Sequence, residues 1–161
     1  MSKRINIMLL FLLLSATTVM AQAKKVYNES LDPMAQIEDA KAIAAEEGKY
    51  VLCQVGGNWC PWCLRFAEFA DTNAAVHNTI EENFVYIHIN YSKDHTNPEA
   101  MKYLGNPARF GFPVFVILDA EGNRIHTQNS AYLEEGKGYS EKKVNDFLLN
   151  WTPKAVNTLK E

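Results

Sequence analysis

Apolar residues recur along this chain with two different periods. Over 33–47 the stripe Met34, Ile37, Ala40 and Ala44 has helical spacing. It follows Asp32-Pro33, an N-cap with proline at the first helical position, and stops at Gly48. Residues 50–55 form a short, nearly continuous apolar run of strand length, the kind expected in a sheet covered on both faces. The next helix starts near Cys60 and carries Phe66, Phe69 and Ala70 to the core until Asp71-Thr72-Asn73 interrupts it, and a short helix is predicted over 74–82. Strict alternation over 84–90 predicts a strand with Val85, Ile87 and Ile89 on one face and Phe84, Tyr86, His88 and Asn90 on the other.

A polar loop is predicted over 91–97, a short helix over 98–104 and an irregular approach over 105–111 to the apolar run 112–118, read as a buried strand. Asp119-Ala120-Glu121-Gly122-Asn123 is turn chemistry, so 124–128 should return antiparallel as a hairpin. Residues 129–139 read as a polar, glycine-containing loop. Ser140 and Glu141 then open a helix with Val144, Phe147, Leu148 and Trp151 on its apolar side, and Thr152-Pro153 restarts a short final one. Ahead of all this, 24–30 holds only Val26 and Tyr27 as larger apolar residues and predicts at most a short edge strand. The order describes one α/β domain in which a parallel part of a sheet passes into a hairpin.

Composition agrees: 161 residues, 47% of them apolar, suffice for one packed core. Residues 1–23 stand apart, with basic Lys3 and Arg4, an apolar stretch over 5–14 and the small-x-small sequence Ala21-Gln22-Ala23. That pattern predicts a signal peptide cleaved after Ala23, a single domain over 24–161, and a periplasmic or secreted protein. The apolar stretch falls short of the ~20 residues that span a bilayer, so no stable membrane insertion is expected after cleavage. Losing Lys3 and Arg4 leaves 14 basic against 19 acidic residues, a net charge of −5, which argues against a nucleic-acid partner. Three cysteines divide most simply into one pair and one leftover, Cys53, which lies inside an apolar run and reads as a small buried hydrophobe.

The pair is Cys60-Pro61-Trp62-Cys63, preceded by Gly56-Gly57-Asn58-Trp59, where a strand hands over to a helix. Unpaired N–H groups and partial positive charge at a helix start favour thiolate over thiol. Cys60 is so placed, and Cys63, one turn further on, can attack a mixed disulfide formed at Cys60. A Cys-x-x-Cys alone also suits a static bridge or a metal site in a binding domain. A structural zinc site wants four ligands, though, and His77, His88, His95 and His126 are scattered; a copper site of two thiolates and a histidine rests on no recognisable spacing. Peroxide is a further conceivable partner for an exposed thiolate, favoured by nothing in the chain. There is no glycine-rich phosphate loop and no Ser-His-Asp arrangement, and thiol exchange itself calls for no bound cofactor or metal.

Trp-Cys-x-x-Cys at a strand-to-helix junction, a strand opening with Pro113 53 positions after Cys60, a hairpin and a closing helix together resemble the thioredoxin superfamily. The export pattern and Trp59-Cys60-Pro61-Trp62-Cys63 look most like small proteins related to the C-terminal domain of the periplasmic thiol:disulfide interchange reductase. The resemblance implies a thioredoxin fold, a central mixed β-sheet flanked by helices with a C-terminal hairpin and helix. It also implies thiol–disulfide oxidoreductase activity, protein thiols and disulfides as partners, and a further redox partner. It implies a cis Pro113 against the cysteine pair, with substrate pairing to the backbone before it. Trp59 should pack beneath the pair and Trp62 beside it. Two departures stand out. Where thioredoxins carry a buried acid six residues before the first cysteine, this chain has Gln54, and the lysine that partners that acid falls at Tyr86. A Gln54–Tyr86 hydrogen bond would replace an ionisable pair, with His88 either a proton acceptor on the same face or simply a polar residue satisfied near the sheet. Phe112, bulky before the proline, should narrow the substrate surface or make it more apolar.

Overall fold

The apolar run at 50–55 becomes β1 (Tyr50–Gly56), the only strand of its sheet with every residue buried apart from β3 (Val114–Leu118) beside it. The computed structural model describes residues 25–158; the leader expected over 1–23 lies outside the described residues. β1 pairs in parallel with β2 (Phe84–Asn90) and antiparallel with β3, which in turn pairs antiparallel with β4 (Arg124–Asn129). The order β2-β1-β3-β4 makes a mixed sheet, with the parallel part passing into the hairpin as expected. The ladder places Gln54 opposite His88 and Gly56 opposite Asn90.

Alternation along the strands sorts their side chains onto two faces. On one face Leu52, Phe115 and Ile117 meet Phe66 of α2 (Pro61–Thr72), Val76 and Ile80 of α3 (Ala74–Asn83), and Val144, Phe147 and Leu148 of α5 (Glu141–Asn150). On the other, Val51, Cys53, Val55, Ile89 and Val116 meet Ile37, Ala40 and Ala44 of α1 (Pro33–Glu47) and Met101 of α4 (Pro98–Tyr103). Burial of each large side chain such as Phe66 contributes about 1.5–3 kcal/mol. Caps set the helix starts: Asp32 accepts from Ala35 N at 2.8 Å, and Asn73, which ends α2, accepts from Val76 N at 3.0 Å to begin α3. A last short helix, α6 (Pro153–Asn157), is capped by Thr152.

Three expectations change. Residues 24–30 form no edge strand within the described part: the Val26 and Tyr27 N–H groups both donate to Asn58 Oδ1 at 3.0 Å, so a side-chain amide takes the place of a ladder. The regular strand begins at Val114 rather than at Phe112, since Pro113 has no N–H to give a ladder. The polar loop over 129–139 contains a 3₁₀ turn (Ser130–Leu133) and a two-residue hairpin, β5 (Glu134–Glu135) with β6 (Gly138–Tyr139). That hairpin seats Leu133 and Tyr139 in the core face covered by α2 and α5.

Candidate redox site

β1 ends at Gly56, and the chain turns through Gly57, whose carbonyl accepts from Cys60 N at 3.0 Å, to enter α2. Cys60 is the N-cap of that helix, with extended backbone, and Pro61 occupies the first helical position, where a missing N–H costs nothing. Cys60 Sγ accepts a hydrogen bond from Cys63 N at 3.2 Å, the bond a serine or aspartate cap would accept. The two sulfurs are joined as a disulfide, with Cα atoms 5.2 Å apart. Cys60 retains 4% exposure and Cys63 none. The arrangement is asymmetric: on opening the bond, Cys60 sulfur sits on helix-terminal N–H groups, which favour its thiolate, whereas Cys63 sulfur is enclosed.

Behind the pair lies Gln54, wholly buried. Tyr86 Oη donates to its Oε1, the bond that the resemblance to thioredoxins implied, and its Nε2 donates to the Cys63 carbonyl at 2.9 Å and to Tyr27 Oη at 2.5 Å. The carbonyl partner fixes which end of the amide faces the pair. Burial raises the pKa of both phenols, so Tyr27 and Tyr86 are neutral hydroxyls. Glycine is required at 56, because a Cβ there would stand 2.4 Å from Cys63 Sγ and 2.9 Å from Tyr27 Oη. His88 is placed beyond this network, with its ring 5.3 Å from that of Tyr27 and 4.6 Å from that of Tyr86. Its Nε2 is buried without a hydrogen-bond partner among the described residues, so the simple picture of a satisfied polar residue does not apply. Burial lowers its pKa to about 4.

An aromatic rim borders the pair. The Phe112–Pro113 bond is cis, Pro113 is buried, and Phe112 packs against the cluster of Tyr27, Cys60 and Cys63. Phe112 stacks on Tyr91 at 4.9 Å and meets the edge of Trp59 at 5.4 Å. Trp59 does not lie beneath the pair: it is 54% exposed, and its Nε1 donates to the Tyr91 carbonyl at 2.7 Å. That bond needs Gly57, where a Cβ would stand 2.4 Å from Trp59 Nε1. Trp62 lies beside the pair as expected, in a T-shaped contact with Tyr139, whose hydroxyl donates to the Trp62 carbonyl at 3.2 Å, and the Arg65 guanidinium lies over the Trp62 ring.

Sequence reasoning missed Tyr27, Asn58, Tyr91 and Tyr139. Tyr27 sat in a stretch set aside as polar, yet it is 1% exposed. Asn58 holds it there, accepting from two N–H groups and donating to the Tyr27 carbonyl at 2.7 Å. Its place within Gly-Gly-Asn-Trp-Cys was the one available signal. Cys53 is a free, fully buried thiol on the α1 face, its pKa raised by desolvation, as an inert hydrophobe should be. Among the described residues no three His, Cys, Asp or Glu side chains gather as a metal site would require, and no helix is long and apolar enough to cross a membrane.

A family model described as thioredoxin-like matches residues 32–120. The thiol:disulfide interchange protein DsbD of Colwellia psychrerythraea is 23% identical over 116 residues, which cover 72% of this chain and 19% of that protein. This chain thus spans about a fifth of the length of the curated relative it matches. Among solved structures, a disulphide isomerase from Xylella fastidiosa superposes with a TM-score of 0.71 at 23% identity, covering 80% of this chain and 98% of the other. That likeness shows the same fold.

Proposed function

This chain belongs to the thioredoxin-like family, and from that premise we propose that it is a thiol–disulfide oxidoreductase in which Cys60 attacks and Cys63 resolves. The observation that carries the reading is the cap position of Cys60: its sulfur receives a helix N–H and the residue keeps a trace of exposure, while Cys63 is enclosed one turn away. In the reducing direction, Cys60 thiolate attacks one sulfur of a substrate disulfide, forming the Cys60–substrate bond, and the other substrate sulfur leaves as a thiolate that takes a proton from water. Cys63 then gives up its proton and attacks Cys60 sulfur. The mixed disulfide breaks, the second substrate thiolate leaves and is protonated, and two electrons have passed from the pair to the substrate, leaving Cys60–Cys63 oxidised. No bound cofactor takes part; the reverse sequence oxidises a dithiol.

Protein disulfides are the proposed substrates, reduced or exchanged, and a second thiol protein must return the pair to the dithiol. The name of the curated relative, a thiol:disulfide interchange protein, supports thiol–disulfide exchange as the chemistry. The cis-proline backbone beside Phe112, framed by Trp59 and Tyr91, is the proposed substrate edge. The basic and apolar pattern of the first 23 residues supports export to the periplasm or outside the cell, where such disulfides persist.

The test is a redox titration of the mature domain against glutathione, with alkylation and mass spectrometry reporting each cysteine separately. A reversible Cys60–Cys63 couple is expected, with Cys53 unreactive. Exchange should vanish in Cys60→Ser, while Cys63→Ser should accumulate mixed disulfides with substrate. A pair that never cycles, or a Cys60→Ser protein with undiminished exchange, would sink the proposal and leave a binding domain with a static bridge.

A further inference from the structure

Resting on that reading, the structure assigns a role to Tyr27: we propose that its hydroxyl is the hydrogen-bond donor that stabilises Cys63 as a thiolate when the pair opens. Enclosure works against Cys63, because a sulfur with no exposure is costly to ionise, and the resolving step needs it ionised. Something near it must favour the charged form. The polar side chains hydrogen-bonded into its surroundings are Gln54, Tyr27 and Tyr86. None of these is charged at neutral pH.

The geometry selects Tyr27 among them. The position a Gly56 Cβ would take lies 2.4 Å from Cys63 Sγ and 2.9 Å from Tyr27 Oη, which bounds the separation of those two atoms at 5.3 Å. Tyr86 spends its proton on Gln54, and Gln54 spends one N–H on the Cys63 carbonyl and the other on Tyr27 Oη. Tyr27 Oη is thereby an acceptor, and among the described residues its own proton goes to no acceptor. A disulfide sulfur is a weak acceptor and a thiolate a strong one, so that proton gains a good destination when Cys63 ionises. The three groups act in series, each polarising the next.

This also gives a reason for the amide at 54. A carboxylate there has no proton to offer, so Tyr27 would donate to it and turn its hydrogen away from the sulfur. Gln54 inverts that polarity. Other titratable groups on the surrounding elements are His88 on β2, Tyr139 on β6, and Arg65, Glu68 and Asp71 on α2, with Lys25 and Glu29 flanking Tyr27 in its own segment. His88 lies against the rings of Tyr27 and Tyr86, Tyr139 gives its proton to the Trp62 carbonyl, Arg65 lies over the Trp62 ring, Glu29 accepts from Asn58, and Lys25, Glu68 and Asp71 line the open cleft beside α2. Tyr27 is therefore a positioning and stabilising residue whose hydroxyl holds charge at Cys63 without itself exchanging electrons.

The experiment measures the pH midpoint of Cys63 alkylation in the mature Cys60→Ser protein, by mass spectrometry that separates Cys63 from Cys53. Tyr27→Phe removes one hydroxyl and leaves Gln54 bonded to the Cys63 carbonyl. It is expected to raise the midpoint by about one pH unit, a roughly tenfold loss of thiolate at neutral pH. With Cys60 restored, it should slow resolution of a preformed mixed disulfide by a similar factor. Tyr27 replaced by a ring-fluorinated tyrosine keeps the shape and strengthens the donor, so it should lower the midpoint; this variant decides the matter if Tyr27→Phe does not fold. An unchanged midpoint in a folded Tyr27→Phe, or one that rises with fluorination, overturns the assignment. Failure of the redox proposal reads out differently, as a wild-type protein without exchange, whatever the midpoints of Cys63 do.

Discussion

His88 illustrates how burial alone makes a side chain sensitive to pH. Its Nε2 is enclosed without a partner and its pKa falls to about 4, against about 6.5 in the unfolded chain. The unfolded state therefore binds more protons than the native one between those values, so stability is full above about pH 6.5 and is lost as pH falls toward 4. The loss attributable to this residue is at most roughly 3 kcal/mol. Urea unfolding of the oxidised protein across that range should show the decline, and His88→Phe should flatten it. A decline unchanged in His88→Phe would mean that other groups carry the acid sensitivity. The Gln54–Tyr86 contact was legible at this scale through the resemblance to thioredoxins, whose paired acid and lysine fall at these two positions on neighbouring strands. Tyr27 was not: a single tyrosine in a polar stretch has no period, and its burial depends on Asn58, 31 residues away.

At the level of elements, the cap of α2 and the segment at Val26-Tyr27 are one construction. Asn58 ties the segment down with two accepted bonds and one donated bond, and Gly56 leaves room for Tyr27 Oη beside Cys63 Sγ. Asn58→Ala leaves those backbone groups without partners. Amide exchange at Val26 and Tyr27 should then quicken by about tenfold or more, since each lost bond costs on the order of 1 kcal/mol, while amides of β1 should keep their protection. Uniform loss of protection throughout β1 would show instead that Asn58 supports the whole domain. The β5–β6 hairpin is a second such clamp, holding Tyr139 against Phe66 and under the Trp62 carbonyl. Two-residue strands leave no alternation to read, so only the apolar Leu133 and Tyr139 hinted that 129–139 was anchored.

Across the molecule, the sheet order sets the redox pair at the end of central β1, with different surroundings on its two sides. One is the rim of Trp59, Tyr91 and Phe112, with Tyr91 following β2 and Phe112 preceding β3. Toward β2, between α2 and α3, lies a cleft of about 580 Å³ floored by Tyr86 and His88 and edged by Glu68, Asp71 and Glu81. An apolar rim at the proposed substrate edge should favour unfolded, apolar protein segments over small polar disulfides. Phe112→Thr is expected to raise KM for an apolar peptide disulfide several-fold with little change in kcat, and to leave exchange with glutathione nearly unaltered. Equal losses on both substrates would place Phe112 in the chemistry of the pair rather than in selection.

The sequence by itself determined the order of the main helices and strands, the fold family, the cysteine pair at a helix start and the burial of Cys53. These depend on local periodicity, capping chemistry and residue type, which neighbours in the chain express together. Only the tertiary structure decided what surrounds the pair: Tyr27 brought under it by Asn58, Trp59 turned outward onto the Tyr91 carbonyl, and Tyr139 carried in by a hairpin too short to have a pattern. Those contacts join residues far apart in the chain, where the position of one side chain is set by the space and hydrogen-bonding groups that another leaves free.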